Sequence, residues 1–217
     1  MEVINLSANN SILNQYIKEL RSVDIQKDSM RFRRNIARIG SIMAYEISKR
    51  MAYENDKVTT PLGVADVPVV ADQVVLGTIL RAGLPFHQGF LDCFDHAENA
   101  FVSAYRKYKD ALKFDIHIEY IASPSLQGKI LILSDPMLAT GGSMELAYGA
   151  LLTKGQPAHT HLAAIIASQQ AVDYIQAHLP AENVTLWVAV VDECLNEHAY
   201  IVPGLGDAGD LAYGEKL

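Results

Sequence analysis

Apolar residues recur along this chain with distinct periods. Across residues 29 to 52, Phe32, Ile36, Ile39, Met43 and Ile47 follow one another at spacings of three and four, the stripe with which a helix packs on a sheet. Residues 11 to 22 carry a shorter amphipathic pattern of the same kind. Five strand-length runs then follow: QVVLGTIL (73–80), NAFVSAY (99–105), KILILSD (129–135), LAAIIAS (162–168) and VTLWVAVV (184–191). They are β-branched and apolar without alternation, as strands are when both faces of a parallel sheet are covered by helices. Helical patterns, LPFHQGFLDCF, GGSMELAYGALLTKG and QQAVDYIQAHL, lie between them. Strand alternating with helix predicts an α/β fold with a doubly wound, mainly parallel sheet. One segment differs: in KFDIHIEYIA (113–122), Phe114, Ile116, Ile118 and Tyr120 alternate with Asp115, His117 and Glu119. That period of two predicts a half-exposed strand in an antiparallel β-ribbon extending from the sheet edge.

Composition narrows the function. Half of the 217 residues are hydrophobic and 20% are charged, with no repeat, low-complexity tract or linker, so one domain is expected over residues 1–217. A formal net charge of −7 argues against a nucleic-acid partner. The most basic stretch, MRFRRNIAR (30–38), is assigned to the solvated face of a helix. Cys93 and Cys194 are far apart and form no CxxC pair, so neither a disulfide framework nor a zinc site is indicated. His159 and His161 alternate at a strand start and are expected at the surface. The N-terminus lacks a basic region followed by an apolar run, and no stretch approaches the ~20 apolar residues of a membrane span. A cytoplasmic protein with no membrane partner is expected.

Ligands of open parallel sheets bind beyond the carboxyl ends of the strands, and three such loops have unusual compositions. In ILILSDPMLATGGSMELA (130–147), Thr140, Gly141, Gly142 and Ser143 fall at a helix N-terminus, where orphan amides and the positive dipole end suit an anion. Asp135 would repel a bare phosphate, but it suits a ligand that also presents hydroxyl groups, such as a sugar phosphate. No lysine follows the glycines, so the phosphate loop of nucleoside triphosphatases is absent. In TILRAGLPF, Arg81 stands at a strand end, and Arg106 in SAYRKYKD is expected just past the next strand. Two planar cations at adjacent strand mouths suit a polyanion such as a diphosphate. The third loop, YIVPGLGDAGDLAYG (200–214), contains a literal GxGxxG, but too little chain follows it to build a dinucleotide fold. Its glycines instead predict a shaped loop whose backbone reads a small planar ligand. No GxSxG elbow occurs and neither cysteine has a nearby basic partner, so covalent nucleophilic catalysis has no evident agent.

ILRAG (79–83), YR (105–106), SDPMLATGGS (134–143) and LNEHAYIVPGLGDAGD (195–210) together closely resemble the uracil phosphoribosyltransferases, a family of type I phosphoribosyltransferases. The likeness runs from about residue 20, through RFRRNIARIGSIMAYEIS, to the end of the chain. It is specific at Asp135 and Pro136, where other type I enzymes usually carry two adjacent acids. The resemblance implies the type I sheet and transfer of the phosphoribosyl group from 5-phosphoribosyl 1-diphosphate (PRPP) to uracil, giving UMP and diphosphate. Mg²⁺ would be held mainly by the diphosphate of PRPP. Carried over by position, Arg81 and Arg106 would contact the diphosphate. Asp135, Pro136, Met137, Leu138, Ala139, Thr140, Gly141, Gly142 and Ser143 would hold the ribose hydroxyls and the 5-phosphate. Ile201, Gly206, Asp207 and Ala208 would contact uracil, with Asp207 also touching PRPP; Arg81 and Asp135 are the catalytic candidates. A homodimer or higher homo-oligomer is expected, and KFDIHIEYI is the candidate lid. The chain departs from the family pattern after Arg106, where KYKDALKFDIHIEYIASPSL replaces an acid-rich stretch, and at Pro85 and Phe86, where small residues and methionine are common. A nucleotide-sensing regulator on the same fold, or transfer to another base, are the alternative readings.

Overall fold

The computed structural model describes residues 1–108 and 114–216, without the side chains of residues 104–118. In chain order the elements are β1 (Glu2–Asn5), a 3-10 turn at Leu6–Ala8, α1 (Leu13–Arg21), α2 (Ser29–Ser48), β2 (Tyr53–Thr60), β3 (Gly63–Val70), β4 (Val74–Leu80) and α3 (Gly83–Leu91). There follow β5 (Glu98–Tyr108), β6 (Phe114–Ala122), β7 (Ile130–Ser134), β8 (Met137–Leu138), α4 (Gly142–Leu152), β9 (His159–Ser168), α5 (Gln169–His178), β10 (Val184–Asp192), β11 (Cys194–Leu195), β12 (Ile201–Val202) and α6 (Ala208–Tyr213).

The main sheet has the order β1-β10-β9-β7-β4-β5-β6, with β8 added alongside β9. Its neighbours run parallel except β5 and β6, which pair antiparallel at the edge. The α2 stripe of Phe32, Ile36, Ile39, Met43 and Ile47 is at most 1% exposed. It packs with Leu76, Ile132, Ile165 and Trp187 on one sheet face. Met144, Ala147 and Leu151 of α4 and Ile175 of α5 cover Val75, Leu131, Leu162 and Leu186 on the other. The doubly wound α/β sheet and its antiparallel ribbon are therefore present as the patterning predicted. Strand order reverses between β4 and β7: β5 continues to one side, β9 and β10 to the other. Such a switch point opens a crevice at the carboxyl ends of the two strands.

α2 and α3 pack closely around Phe86. A Cβ at Gly89 would lie 2.0 Å from the Ala37 carbonyl oxygen, and one at Gly40 would lie 2.6 Å from that of Phe86. Phe86 is fully buried, its ring 5.0 Å from that of Phe90. The bulk at position 86 thus fills the space beneath two helices whose backbones touch.

One expectation is corrected and another gains a detail. Arg31, Arg34 and Arg38 are exposed on α2, as expected, yet three arginines of this stretch also hold partners. Arg31 grips Glu19 at 2.8 and 2.9 Å, Arg33 donates to the Ala212 carbonyl at 2.6 Å, and Arg38 bonds Asn35 and lies over the Tyr16 ring. Donation from Arg31, then Asn35 and Gln15, outweighs burial and holds the Glu19 carboxyl at a pKa of about 2. The stretch fastens α1 and α6 onto α2. His161, by contrast, is not at the surface, because β9 lies between β7 and β10 with both faces covered. It is 3% exposed, its Nδ1 accepts from the Trp187 indole at 3.1 Å, and burial pushes its pKa down to about 3. His159 is half-buried, 3.0 Å from the Thr185 hydroxyl, and burial lowers its pKa as well.

Candidate active site

At the switch point, β4 ends in Leu80, a cis peptide leads to Arg81, and α3 begins at Gly83. Gly83 rests on Thr78: a Cβ there would be 2.1 Å from the Thr78 hydroxyl oxygen, so only glycine allows this approach. Thr78 donates to the Ser134 carbonyl at 3.3 Å, and Ser134 donates to that of Gly77 at 3.1 Å. These two bonds tie the ends of β4 and β7, so Arg81 and Asp135 emerge beside each other.

The segment after β7 is fixed to the sheet almost residue by residue. The Asp135 amide donates to Ala163, the Pro136 carbonyl accepts from Ile165 and Ile166, and Met137 and Leu138 pair with Ile166 and Ala167. Ser168 donates to the Ala139 carbonyl at 2.6 Å while capping α5. One Asp135 oxygen accepts from the Met137 amide at 3.2 Å, which fixes the carboxylate over the turn. Pro136 and Leu138 are buried, so they face the crevice through their backbone alone. Gly141, at φ +89°, then releases the chain into α4, whose first turn has no side-chain cap. Its leading amides remain aimed out of the helix end, the arrangement that receives a phosphate. Tyr174 braces the turn, because its ring packs on Gly141 while its hydroxyl donates to Glu145 at 2.5 Å.

The third segment is shaped by elements that its sequence does not advertise. Asp192, 6% exposed at the end of β10, accepts both arms of the Arg21 guanidinium at 2.7 and 2.8 Å and the Gly204 amide at 2.9 Å. Arg21 also donates to the Gly204 carbonyl at 3.1 Å. Beyond the cis Val202–Pro203 bond, Gly204 and Gly206 adopt φ +55° and +96°. Asp207 caps α6 by accepting from the amides of Gly209 (2.9 Å) and Asp210 (3.1 Å), with Lys216 at 3.4 Å. Burial alone would raise the Asp207 pKa, but the two amides and Lys216 outweigh it and hold the group below the ordinary carboxylate value. Ile201 and Ala208 point their side chains into the core, leaving backbone at the rim, whereas Gly206 is exposed.

The first and third segments meet at Arg81, which is 41% exposed and bonds Asp210 at 2.9 Å and the Gly214 carbonyl at 3.3 Å. The second is tied to the first through the bond between Thr78 and Ser134. Arg106 is placed differently from expectation: β5 runs on to Tyr108, so Arg106 lies within the strand, opposite Ile116 of β6. The strand continues there because it gains β6 as a ribbon partner. The Arg106 side chain lies outside the described residues, as does much of the candidate lid. A separate cavity of about 480 Å³ beside α3, lined by Leu84, His87, Asn99, Phe101 and Tyr213, includes neither Arg81 nor Asp135.

A family model described as uracil phosphoribosyltransferase matches residues 7–215. The chain belongs to this family. A uracil phosphoribosyltransferase of Porphyromonas gingivalis is 68% identical over 217 residues, spanning all of both chains. Another, of Methanothermobacter thermautotrophicus, is 39% identical over 207 residues, covering 94% of this chain and 93% of its own. A solved protein structure from Aquifex aeolicus superposes with a TM-score of 0.87 at 30% identity over 98% of both chains. Family membership thus extends over the whole structure, including the three segments linked at the β4–β7 switch point. Arg21, Asp192, Ser168 and Tyr174, which shape those segments, were not legible beforehand: each sits inside an ordinary helix or strand-end pattern.

Proposed function

We propose that residues 1–217 form one phosphoribosyltransferase domain that transfers the phosphoribosyl group of PRPP to uracil, giving UMP and diphosphate. The observation that carries this reading is the contact of Arg81, at the β4 mouth, with Asp210 and Gly214 of the glycine-rich segment, beside the Asp135 turn. In this reading the amides of Thr140 to Ser143 hold the 5-phosphate, with Pro136 to Ala139 presenting backbone along the sugar. Asp135 accepts from the ribose hydroxyls. Arg81 and Arg106 hold the diphosphate. The backbone of Ile201 and Gly206 to Ala208 reads uracil, and Asp207 shapes that loop while facing PRPP.

Displacement at the anomeric carbon breaks its bond to the diphosphate oxygen and forms one to the uracil ring nitrogen, which loses its proton. Positive charge grows on the ribose, near the Asp135 carboxylate, while negative charge grows on diphosphate, where the arginines await it. Fixing the phosphate at α4 fixes the reacting carbon as well. Mg²⁺, when bound, neutralises diphosphate charge. Asp210, beside Arg81, would offer such an ion a hard carboxylate oxygen, with the diphosphate oxygens supplying most of its ligands. Uracil presents two carbonyl acceptors and a ring donor. A backbone loop in fixed order leaves groups unpaired against cytosine, the strong form of discrimination.

The working form is a homodimer or larger homo-oligomer in the cytoplasm. The hairpin of β2 and β3 supports association, because among the described residues it forms a two-stranded sheet of its own and exposes Tyr53, Val64 and Leu62, the last 99% accessible. No helix among the described residues is long and apolar enough to cross a membrane.

Purified protein supplied with uracil, PRPP and Mg²⁺ is expected to release UMP and diphosphate in equal amounts, and to prefer uracil over cytosine and hypoxanthine. Absence of UMP while PRPP demonstrably binds would refute the assignment.

A further inference from the structure

We propose that Arg21 and Asp192 form a clamp that positions the uracil-reading loop, Arg21 acting as a positioning residue from outside the ligand loops. The proposal rests on the reading of residues 201–208 as the uracil site. Arg21 is the last residue of α1, and Glu19 ties that helix to Arg31 and Asn35 of α2. Its guanidinium engages both Asp192 oxygens, and the pair then closes on one residue: the Gly204 amide donates to Asp192 and the Gly204 carbonyl accepts from Arg21. Both backbone groups of Gly204 are therefore committed to the ion pair, two residues before Gly206.

The loop needs an outside reference. Gly204 and Gly206 both sit at positive φ, and β11 and β12 share only two residue pairs. Glycine at such positions has little conformational preference of its own. Charge-assisted, forked bonds to a buried carboxylate supply the missing definition. The PRPP side is held independently: Thr78 and Ser134 tie β4 to β7, and Ser168 holds the Ala139 carbonyl. Loss of the clamp therefore loosens the uracil edge and leaves the PRPP side in place, an asymmetry that a general stability role would not produce.

The test compares steady-state constants for Arg21→Met, Arg21→Lys and Gly206→Ala, with thermal melting to verify folding. In Arg21→Met the KM for uracil is expected to rise roughly 10- to 100-fold, the scale of a displaced positioning group, while the KM for PRPP stays within about twofold. Arg21→Lys, which keeps the charge but loses the fork, should show the same split at smaller size, and it decides the matter if the methionine variant does not fold. A folded variant with unchanged uracil KM, or with both constants raised together, would overturn the clamp. Gly206→Ala separates the two layers of the argument. If it raises the uracil KM and the Arg21 variants do not, the clamp alone fails; if it leaves uracil KM untouched, the loop assignment falls and the clamp with it.

Discussion

Arg81→Ala is expected to lower kcat roughly 100- to 1000-fold, the cost of removing one preorganised donor from a charge that develops in the transition state. The guanidinium is the described cation at the β4 mouth, and its fork matches diphosphate oxygens better than a lysine would. Its structural role is small. The Arg81–Asp210 pair is 41% and 28% exposed, and surface pairs of this kind contribute about 0–1 kcal/mol. The melting temperature should therefore fall by no more than about 2–4 °C. Calorimetry and turnover measured on the same preparation check both halves. A large drop in melting temperature that accounts for the lost activity would recast Arg81 as a structural residue.

Gly141→Ala should act on PRPP instead. Gly141 turns the chain into α4 at φ +89°, where an alanine is strained, and its Cβ would lie 2.6 Å from the Tyr174 ring. That ring cannot easily withdraw, because its hydroxyl is bonded to Glu145 and its face is stacked on His178 at 3.9 Å. The Thr140–Ser143 turn must open instead, and its amides lose their common aim. An ångström of misplacement costs on the order of 100-fold, so the KM for PRPP is expected to rise by about that factor. The strained residue itself costs about 1–3 kcal/mol of stability. Competitive inhibition by UMP, whose phosphate uses the same amides, should weaken in parallel. Unchanged PRPP and UMP affinities in a folded variant would remove the phosphate from this turn.

The sequence reveals the parts of the molecule whose physics is local. β4, β7, β9 and β10 are legible because burial on both faces leaves continuous apolar runs, and α2 because one buried stripe repeats along its length. The Asp135–Ser143 turn is legible because anion binding at a helix start needs glycine, hydroxyl and amide in close succession. β2 left no such imprint, since every one of its residues is exposed and no burial pattern constrained them. β8, β11 and β12 are two residues long, too short for any period. The Arg21–Asp192 bond joins residues 171 positions apart, and neither side chain differs in local context from an ordinary helix end or strand end. The burial of His161 and the partners of the arginines after residue 30 are hidden for a related reason: Trp187, Glu19 and Ala212 come from other elements and reach them only once the sheet and α2 are assembled.

A crystal structure of the protein grown with UMP would show whether the loops after β4, β7 and β12 serve a single ligand. The account predicts the nucleotide phosphate on the amides of residues 140–143, the ribose hydroxyls on Asp135 and the base against the backbone of residues 201–208. UMP bound with its base turned away from Gly206, or seated in the cavity beside α3, would contradict it.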